Sequence, residues 1–167
     1  MRCLNSGGAY RGCVAALGLC NTKAPADSAE ARAARLQAAN DVLERGTEQF
    51  FQSMVLRLLG KTTRGTRPDL VEGVLRMMRT MTPEDVAQVQ RGMAERPDSL
   101  DTLKTINVPT LIVTGDEDEL TGVNEAELMR RHVPGSELRV IAKAGHYLPW
   151  EQAEEVGKVL RQFLDGV

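Results

Sequence analysis

The chain has 167 residues, with 21 basic and 23 acidic side chains and a formal net charge of −2. This length suits one domain with a real hydrophobic core, and no run of like charge suggests a nucleic-acid partner. No apolar run approaches the ~20 residues of a membrane span, and the first residues lack the apolar region of a secretory leader. We therefore expect a soluble, cytoplasmic protein without a membrane partner.

The cysteines occur at Cys3, Cys13 and Cys20, without the C-x-x-C spacing of a zinc or redox site. We expect reduced, mostly buried thiols, because free cysteine packs as a small hydrophobic residue. The two histidines, His132 and His146, would leave the common zinc sites short of ligands. We predict neither a structural metal nor a cofactor.

An apolar run at 13–20 predicts a strand that is buried on both faces of a parallel sheet. Capping residues, terminating glycines and helix-initiating prolines then predict four helices, at 28–45, 47–59, 68–79 and 83–95. Between the second and third of these, residues 60–67 are predicted to form a basic loop rich in Gly and Thr. A short helical turn at 99–104 ends this part of the chain.

The hydrophobic period changes after Pro109. Strands are predicted at 110–114 and 138–141, a helix at 124–131, and a closing amphipathic helix at 150–164. That closing helix is expected to turn the following side chains inward: Val156, Val159, Leu160, Phe163 and Leu164. Alternating strands and helices favour parallel pairing with right-handed crossovers, so the predicted fold class is α/β, with about three parallel strands, flanking helices and a four-helix insertion.

Two side chains that carry chemistry follow the last two predicted strands. Asp118 comes after the first of them and His146 after the second. In an open parallel sheet, functional groups lie just beyond the carboxyl ends of the strands, and an acid with a histidine forms two thirds of a hydrolytic triad. Asp116 is the rival acid. His132, at the end of a predicted helix, is expected to be a favourable C-terminal charge rather than a catalyst.

The acidic turn at 116–119 has two other interpretations. It is a solvated turn without a function, or it is a divalent-metal site. The metal site is disfavoured, because oxygen-rich sites usually draw their carboxylates from several elements of the fold.

The segment 106–165 resembles the C-terminal part of an α/β-hydrolase. The resemblance is carried by Gly115 three residues before Asp118 at a strand end, and by Gly145-His146 before a final helix. Residues 13–22 and the turn at 96–99 look like the esterase and 3-oxoadipate enol-lactonase branch. The resemblance implies that Asp118 orients His146, and that His146 takes the proton of a nucleophile during hydrolysis of a small ester or lactone through an acyl-enzyme.

The resemblance also implies a domain organisation. Residues 1–12 would be disordered or the remnant of a nucleophile elbow, and 13–22 a core strand. Residues 23–105 would form a helical cap, and 106–167 the C-terminal βαβα part of the core. The N-terminal half of the fold would then be missing from the chain.

The nucleophile is the point where the family pattern, G-x-S-x-G, is not met. If Ser6 is the nucleophile, Leu4 stands where the first glycine is required; in the other register, Asn5 occupies the serine position and Cys3 that glycine. Too few residues precede Ser6 for the strand that holds such an elbow. Cys3 as a nucleophile is disfavoured by its place at the terminus, and a phosphate-binding loop at 6–12 is disfavoured because it lacks Gly-Lys-Ser/Thr.

Two functions therefore stay open from the sequence. The first is a serine hydrolase. The second is a catalytically inactive, truncated or degenerate member of the family, or an interaction module, that self-associates through an exposed strand edge at 13–20.

Methionines recur along the predicted helices. Met54, Met77, Met78, Met81 and Met93 are expected to pack in the helical core. If the helices form a cap, the same side chains would instead line an acyl-binding pocket.

Overall fold

The computed structural model describes residues 14–167, which form a parallel sheet with flanking helices, as predicted. The strands are β1 (Leu17–Cys20), β2 (Thr110–Gly115) and β3 (Glu137–Ile141), in the order β1-β2-β3. The helices are α1 (Ala29–Arg45), α2 (Glu48–Leu58), α3 (Lys61–Thr66), α4 (Pro68–Met78), α5 (Pro83–Ala94), α6 (Leu100–Leu103), α7 (Val123–His132), α8 (Leu148–Glu151) and α9 (Ala153–Leu164). The predictions about Ser6, Cys3, Cys13 and the elbow remnant at 1–12 lie outside the described residues.

The sheet is centred on β2, which is buried at every position. Leu17 of β1 is in register with Thr110, and Leu111 is in register with Glu137 of β3. In β1, in contrast, only Leu19 is buried, and Cys20 is an exposed free thiol. The predicted burial of this strand on both faces is therefore wrong, as is the predicted burial of Cys20, because within residues 14–167 β1 is an edge strand.

Helices α1 to α5 form what we call the helical segment, residues 29–94. Local signals bound its helices: Ser28 Oγ accepts from Ala31 N at 3.2 Å, and Thr82 and Asp85 form a reciprocal capping box at the start of α5. The segment has its own apolar core, which is built from Ala39, Val42, Phe51, Val55, Leu58, Leu59, Val74, Leu75, Met78, Val86 and Ala87. The four predicted helices of this region are confirmed.

The predicted loop at 60–67 is wrong, since this stretch contains α3. The first N–H groups of a helix have no partner within the helix and need acceptors from elsewhere. Here they find carboxylates that are distant in sequence: Glu151 Oε2 accepts from Gly60 N at 2.8 Å, and Glu117 Oε2 accepts from Thr62 N at 2.8 Å. These long-range bonds stabilise a helix that local propensity does not indicate.

The predicted closing helix at 150–164 is two helices, α8 and α9, with a break at Gln152 (φ −134°, ψ 53°). The break lets the Glu151 side chain turn into the core, while Gln152 Nε2 donates to Lys143 O at 3.2 Å. Val156 and Val159 of α9 are buried, as predicted. Leu164 is 61% exposed, contrary to the prediction, because it lies in the last turn at the margin of the apolar stripe.

Residues 14–167 contain no helix long and apolar enough to cross a membrane. The same residues hold no group of three or more His, Cys, Asp or Glu side chains that is arranged to bind a metal ion. The division into core strand, cap and C-terminal core, and the cytoplasmic location, stay predictions.

Candidate active site

Asp118 lies in the turn that follows β2, with its side chain fully buried. Its Oδ1 atom accepts from Leu120 N at 2.8 Å and from Thr121 N at 3.0 Å. An aspartate that bonds to backbone groups just after it in sequence stabilises such a turn. One carboxylate oxygen therefore holds the turn, and Oδ2 faces the neighbouring strand ends.

His146 lies in the loop after β3 and meets Asp118 across the sheet edge. Its Nδ1 atom is 3.0 Å from Asp118 Oδ2 and 3.2 Å from Thr121 Oγ1. Since an ionised carboxylate only accepts hydrogen bonds, we assign the proton to Nδ1 and leave Nε2 as the basic nitrogen. A quarter of the side chain is exposed, and no group within residues 14–167 bonds to Nε2.

Two further side chains bond to Asp118, and the sequence analysis missed both. Asn21 Nδ2 donates to Asp118 Oδ2 at 2.8 Å and to Gly145 O at 3.2 Å, and the Thr121 hydroxyl donates to the same Oδ2 atom at 2.9 Å. Asn21 follows β1 directly with φ 44°, a left-handed conformation that asparagine tolerates better than most residues. An asparagine just after an apolar strand was the available signal, whereas nothing local marked Thr121.

The surroundings of Asp118 keep it ionised. Burial by itself raises the pKa of this carboxyl, but hydrogen bonds from His146, Asn21 and the Thr121 N–H outweigh burial and bring the pKa below its ordinary value. Asp118 is thus a carboxylate throughout the neutral range. It can orient His146 and stabilise an imidazolium at that position.

The other candidate residues lie elsewhere. Asp116 Oδ1 accepts from Ala144 N at 3.4 Å and makes no bond to His146 within the described residues. Glu117 is bonded to Thr62 of the helical segment, through both oxygens. His132 Nδ1 lies 2.9 Å from Leu128 O, one turn back in its own helix. The geometry therefore pairs Asp118, and not Asp116, with His146.

A cavity of about 820 Å³ opens between the sheet edge and the helical segment. Asn21, Thr121 and His146 line it on the sheet side. From the helical segment come, among others, Phe50, Met54, Met77, Met78, Met81, Val89 and Met93. The five methionines thus share the cavity, and Met77 and Met81, at 39% and 36% exposure, are not core side chains. The expectation of a methionine core is wrong for these two.

Comparisons with known proteins place this geometry in context. No family model matches the chain. Over 70 residues it is 37% identical to a proline iminopeptidase of Saccharolobus solfataricus, covering 42% of the chain and 22% of the relative. Over 74 residues it is 39% identical to a pimeloyl-[acyl-carrier protein] methyl ester esterase of Neisseria meningitidis, covering 44% and 29%. The matched part spans less than a third of either relative.

Solved structures match almost the whole chain. A thermophilic esterase from Thermogutta terrifontis superimposes with a TM-score of 0.91 at 36% identity, covering 98% of this chain and 60% of the esterase. An alpha/beta hydrolase enzyme from a deep-sea metagenome library has a TM-score of 0.82 at 21% identity, with 98% and 60% covered. The enol-lactonase from Burkholderia xenovorans has a TM-score of 0.82 at 18% identity, with 97% and 60% covered. The last two show the fold alone.

Proposed function

Because this chain belongs to the α/β-hydrolase superfamily, we propose that it hydrolyses a small ester or lactone through an acyl-enzyme. The observation that carries the proposal is the bond of 3.0 Å between His146 Nδ1 and the buried Asp118 carboxylate, beside an open cavity. A buried acid that orients a histidine, here one whose second nitrogen has no bonding partner among the described residues, is the arrangement of a general base. In this proposal the helical segment serves as the cap.

Each residue then has a defined task. Asp118 accepts the Nδ1–H bond and stabilises the positive charge that His146 gains. His146 Nε2 takes the proton of a serine hydroxyl as this oxygen attacks the carbonyl carbon, and it returns the proton to the leaving oxygen. Ser6, the candidate from the sequence, lies outside the described residues, so the proposal assigns the acid and the base but not the nucleophile.

The cavity suggests the substrate class. Its helical wall is mostly methionine, phenylalanine and valine, which suits the hydrocarbon part of an acyl group. The Thermogutta terrifontis esterase, at 36% identity, favours the carbon–oxygen bond of an ester as the one that is cleaved. We therefore propose an ester or lactone with a short apolar acyl part.

Turnover of p-nitrophenyl esters tests this proposal. We expect hydrolysis by the wild-type chain, background rates from His146→Ala, and retained activity in His132→Ala, the matched control. A fluorophosphonate probe should label the wild-type chain if a serine is activated. Equal rates from the wild-type chain and His146→Ala would contradict the proposal.

A second candidate is supported by the outer edge of β1. Within residues 14–167, β1 pairs with β2 alone, and its other edge presents unpaired backbone groups. We propose as the alternative a catalytically inactive member of the family, or an interaction module, that self-associates through this edge. Sedimentation velocity should then show a dimer whose population rises with concentration; a monomer at all concentrations would contradict it.

A further inference from the structure

Glu151 is a buried carboxylate that holds two separate chain segments together. Its residue is 6% exposed. Oε2 accepts from Gly60 N at 2.8 Å, and Oε1 accepts from Gly145 N at 2.9 Å. No cation within residues 14–167 forms an ion pair with it. A buried carboxylate is costly unless it is hydrogen-bonded, and bonds to an ionised acceptor are the stronger kind, so both N–H groups are needed to keep it there.

The two glycines that Glu151 joins are in direct backbone contact. A Cβ atom built on Gly145 would lie 2.3 Å from Gly60 N, and one built on Gly60 would lie 2.9 Å from Gly145 N. No other residue type allows this approach without a shift of the backbone. The end of α2 and the loop that carries His146 therefore meet as bare backbone, with the Glu151 carboxylate bonded to both.

The backbone of His146 is held at the same place. Leu58 O accepts from His146 N at 2.9 Å and from Tyr147 N at 3.0 Å. The Leu58 carbonyl thus holds the two residues that follow Gly145, and the Glu151 carboxylate links Gly60 to Gly145 itself. These bonds fix the backbone of His146. The position of this backbone determines the direction in which the imidazole ring reaches Asp118.

We propose that Glu151 is a positioning residue for His146. By bonding to Gly60 N and Gly145 N together, it fixes the His146 loop against the end of α2, so that Nδ1 faces Asp118 while Nε2 faces the cavity. Small errors in the placement of a reacting group are costly, which is why such a loop needs a rigid support. The role in catalysis rests on the proposed hydrolysis; the placement of the ring can be measured without turnover.

The test replaces Glu151 by glutamine, which has nearly the same shape but offers one oxygen and one NH₂ group. One of the two glycine N–H groups would then face another donor, and one bond is lost. We expect the ratio of the Nδ1–H to the Nε2–H tautomer of His146 to fall roughly 5- to 10-fold, the factor that the net strength of one ordinary hydrogen bond represents. Nitrogen-15 NMR of histidine-labelled protein at neutral pH measures this ratio.

The chain supplies its own controls. His132, bonded within its own helix, serves as the internal reference and should not change. Glu155→Gln is the matched variant, because Glu155 is an exposed glutamate of the next helix, with a weak surface ion pair to Lys158 at 3.9 Å. An unchanged His146 tautomer in a folded Glu151→Gln protein would overturn the proposal, as would an equal change in Glu155→Gln.

A second measurement decides the matter if Glu151→Gln does not fold. In the wild-type chain, the amide protons of Gly60 and Gly145 should exchange with solvent at least about 100-fold more slowly than that of Gly135, which lies in an exposed turn. Exchange as fast as at Gly135 would overturn the proposal. A tautomer change in a chain that shows no ester hydrolysis would support the positioning by Glu151 and contradict only the proposed function.

Discussion

The helical segment and the site loops are stabilised in different ways. In the helical segment, α1 and α5 begin at side-chain caps a few residues away in sequence, Ser28 and Thr82. Around His146, the decisive bonds join residues that are far apart, such as Asn21 to Asp118 and Gly60 to Glu151. The loss of a local cap affects one helix end, whereas the loss of a long-range bond affects the loops at both of its ends. We therefore expect substitutions in the site loops to have larger effects than substitutions at the caps.

The largest effect is expected at Asp118. Asp118→Asn keeps the shape of the side chain but removes the carboxylate that selects the His146 tautomer, so we expect a fall in kcat of about 10³- to 10⁴-fold for the proposed hydrolysis. Steady-state ester hydrolysis measures it. Asp116→Asn is the control and should stay within about 10-fold of wild type, since Asp116 does not bond to His146; equal losses in both variants would contradict the assignment.

The next effect is on stability, at the contact between Gly60 and Gly145. Gly145→Ala should lower the free energy of unfolding by about 3 kcal/mol, because the new Cβ would meet backbone and not a movable side chain. Urea denaturation measures it. Gly92→Ala, at an exposed position in the last turn of α5 with no atom near its Cβ position, should instead raise the free energy of unfolding by about 0.5–1 kcal/mol. A Gly145→Ala protein as stable as wild type would contradict the close approach.

A smaller effect is expected from acid. Hydrogen bonds lower the folded pKa of Asp118 from the ordinary 3.8. This contribution to stability is therefore complete above about pH 4–5 and is lost as the pH falls below 4 towards the folded pKa. We expect the stability difference between wild type and Asp118→Asn to shrink over that range in urea unfolding. A difference that is independent of pH down to pH 2 would contradict the lowered pKa.

The smallest effect is expected at a local cap. Thr82→Ala removes the side-chain acceptor for Asp85 N and should lower the free energy of unfolding by about 1 kcal/mol. The tautomer of His146 should not change, because no hydrogen bond within residues 14–167 links this cap to the site loops. Calorimetry measures the change in stability, and nitrogen-15 NMR on the same sample measures the His146 tautomer. A changed His146 tautomer would show that the two regions are not independent.

Much of the fold could be predicted from local patterns. The helices at α1, α2, α4 and α5 have capping residues, glycine stops or prolines in their own sequence, and β2 is a β-branched apolar run. The helix α3 and the break before α9 could not be predicted, because both involve carboxylates, the half-buried Glu117 and the buried Glu151, that bond to residues far away in sequence.

The candidate site divides in the same way. Asp118 and His146 were identified from their places after strands and from the family pattern. Asn21, Thr121 and Glu151 were missed. Asn21 and Glu151 bond to residues far away in sequence, and Thr121, although only three residues from Asp118, is marked by no local pattern. The preference for Asp118 over Asp116 was an inference from spacing, and the bond to His146 is the geometric support for it.

By itself, the sequence determined most of the helices and strands, with the exception of α3 and the break before α9. It also determined which acid and histidine follow the strands, because caps, glycines and hydrophobic periods act over a few residues. The tertiary structure alone decided how these parts meet. It placed the Glu151 carboxylate between Gly60 and Gly145, directed the His146 ring at Asp118, and left the methionines around a cavity. Those outcomes depend on burial and on hydrogen bonds between distant segments, which exist only once the chain has folded.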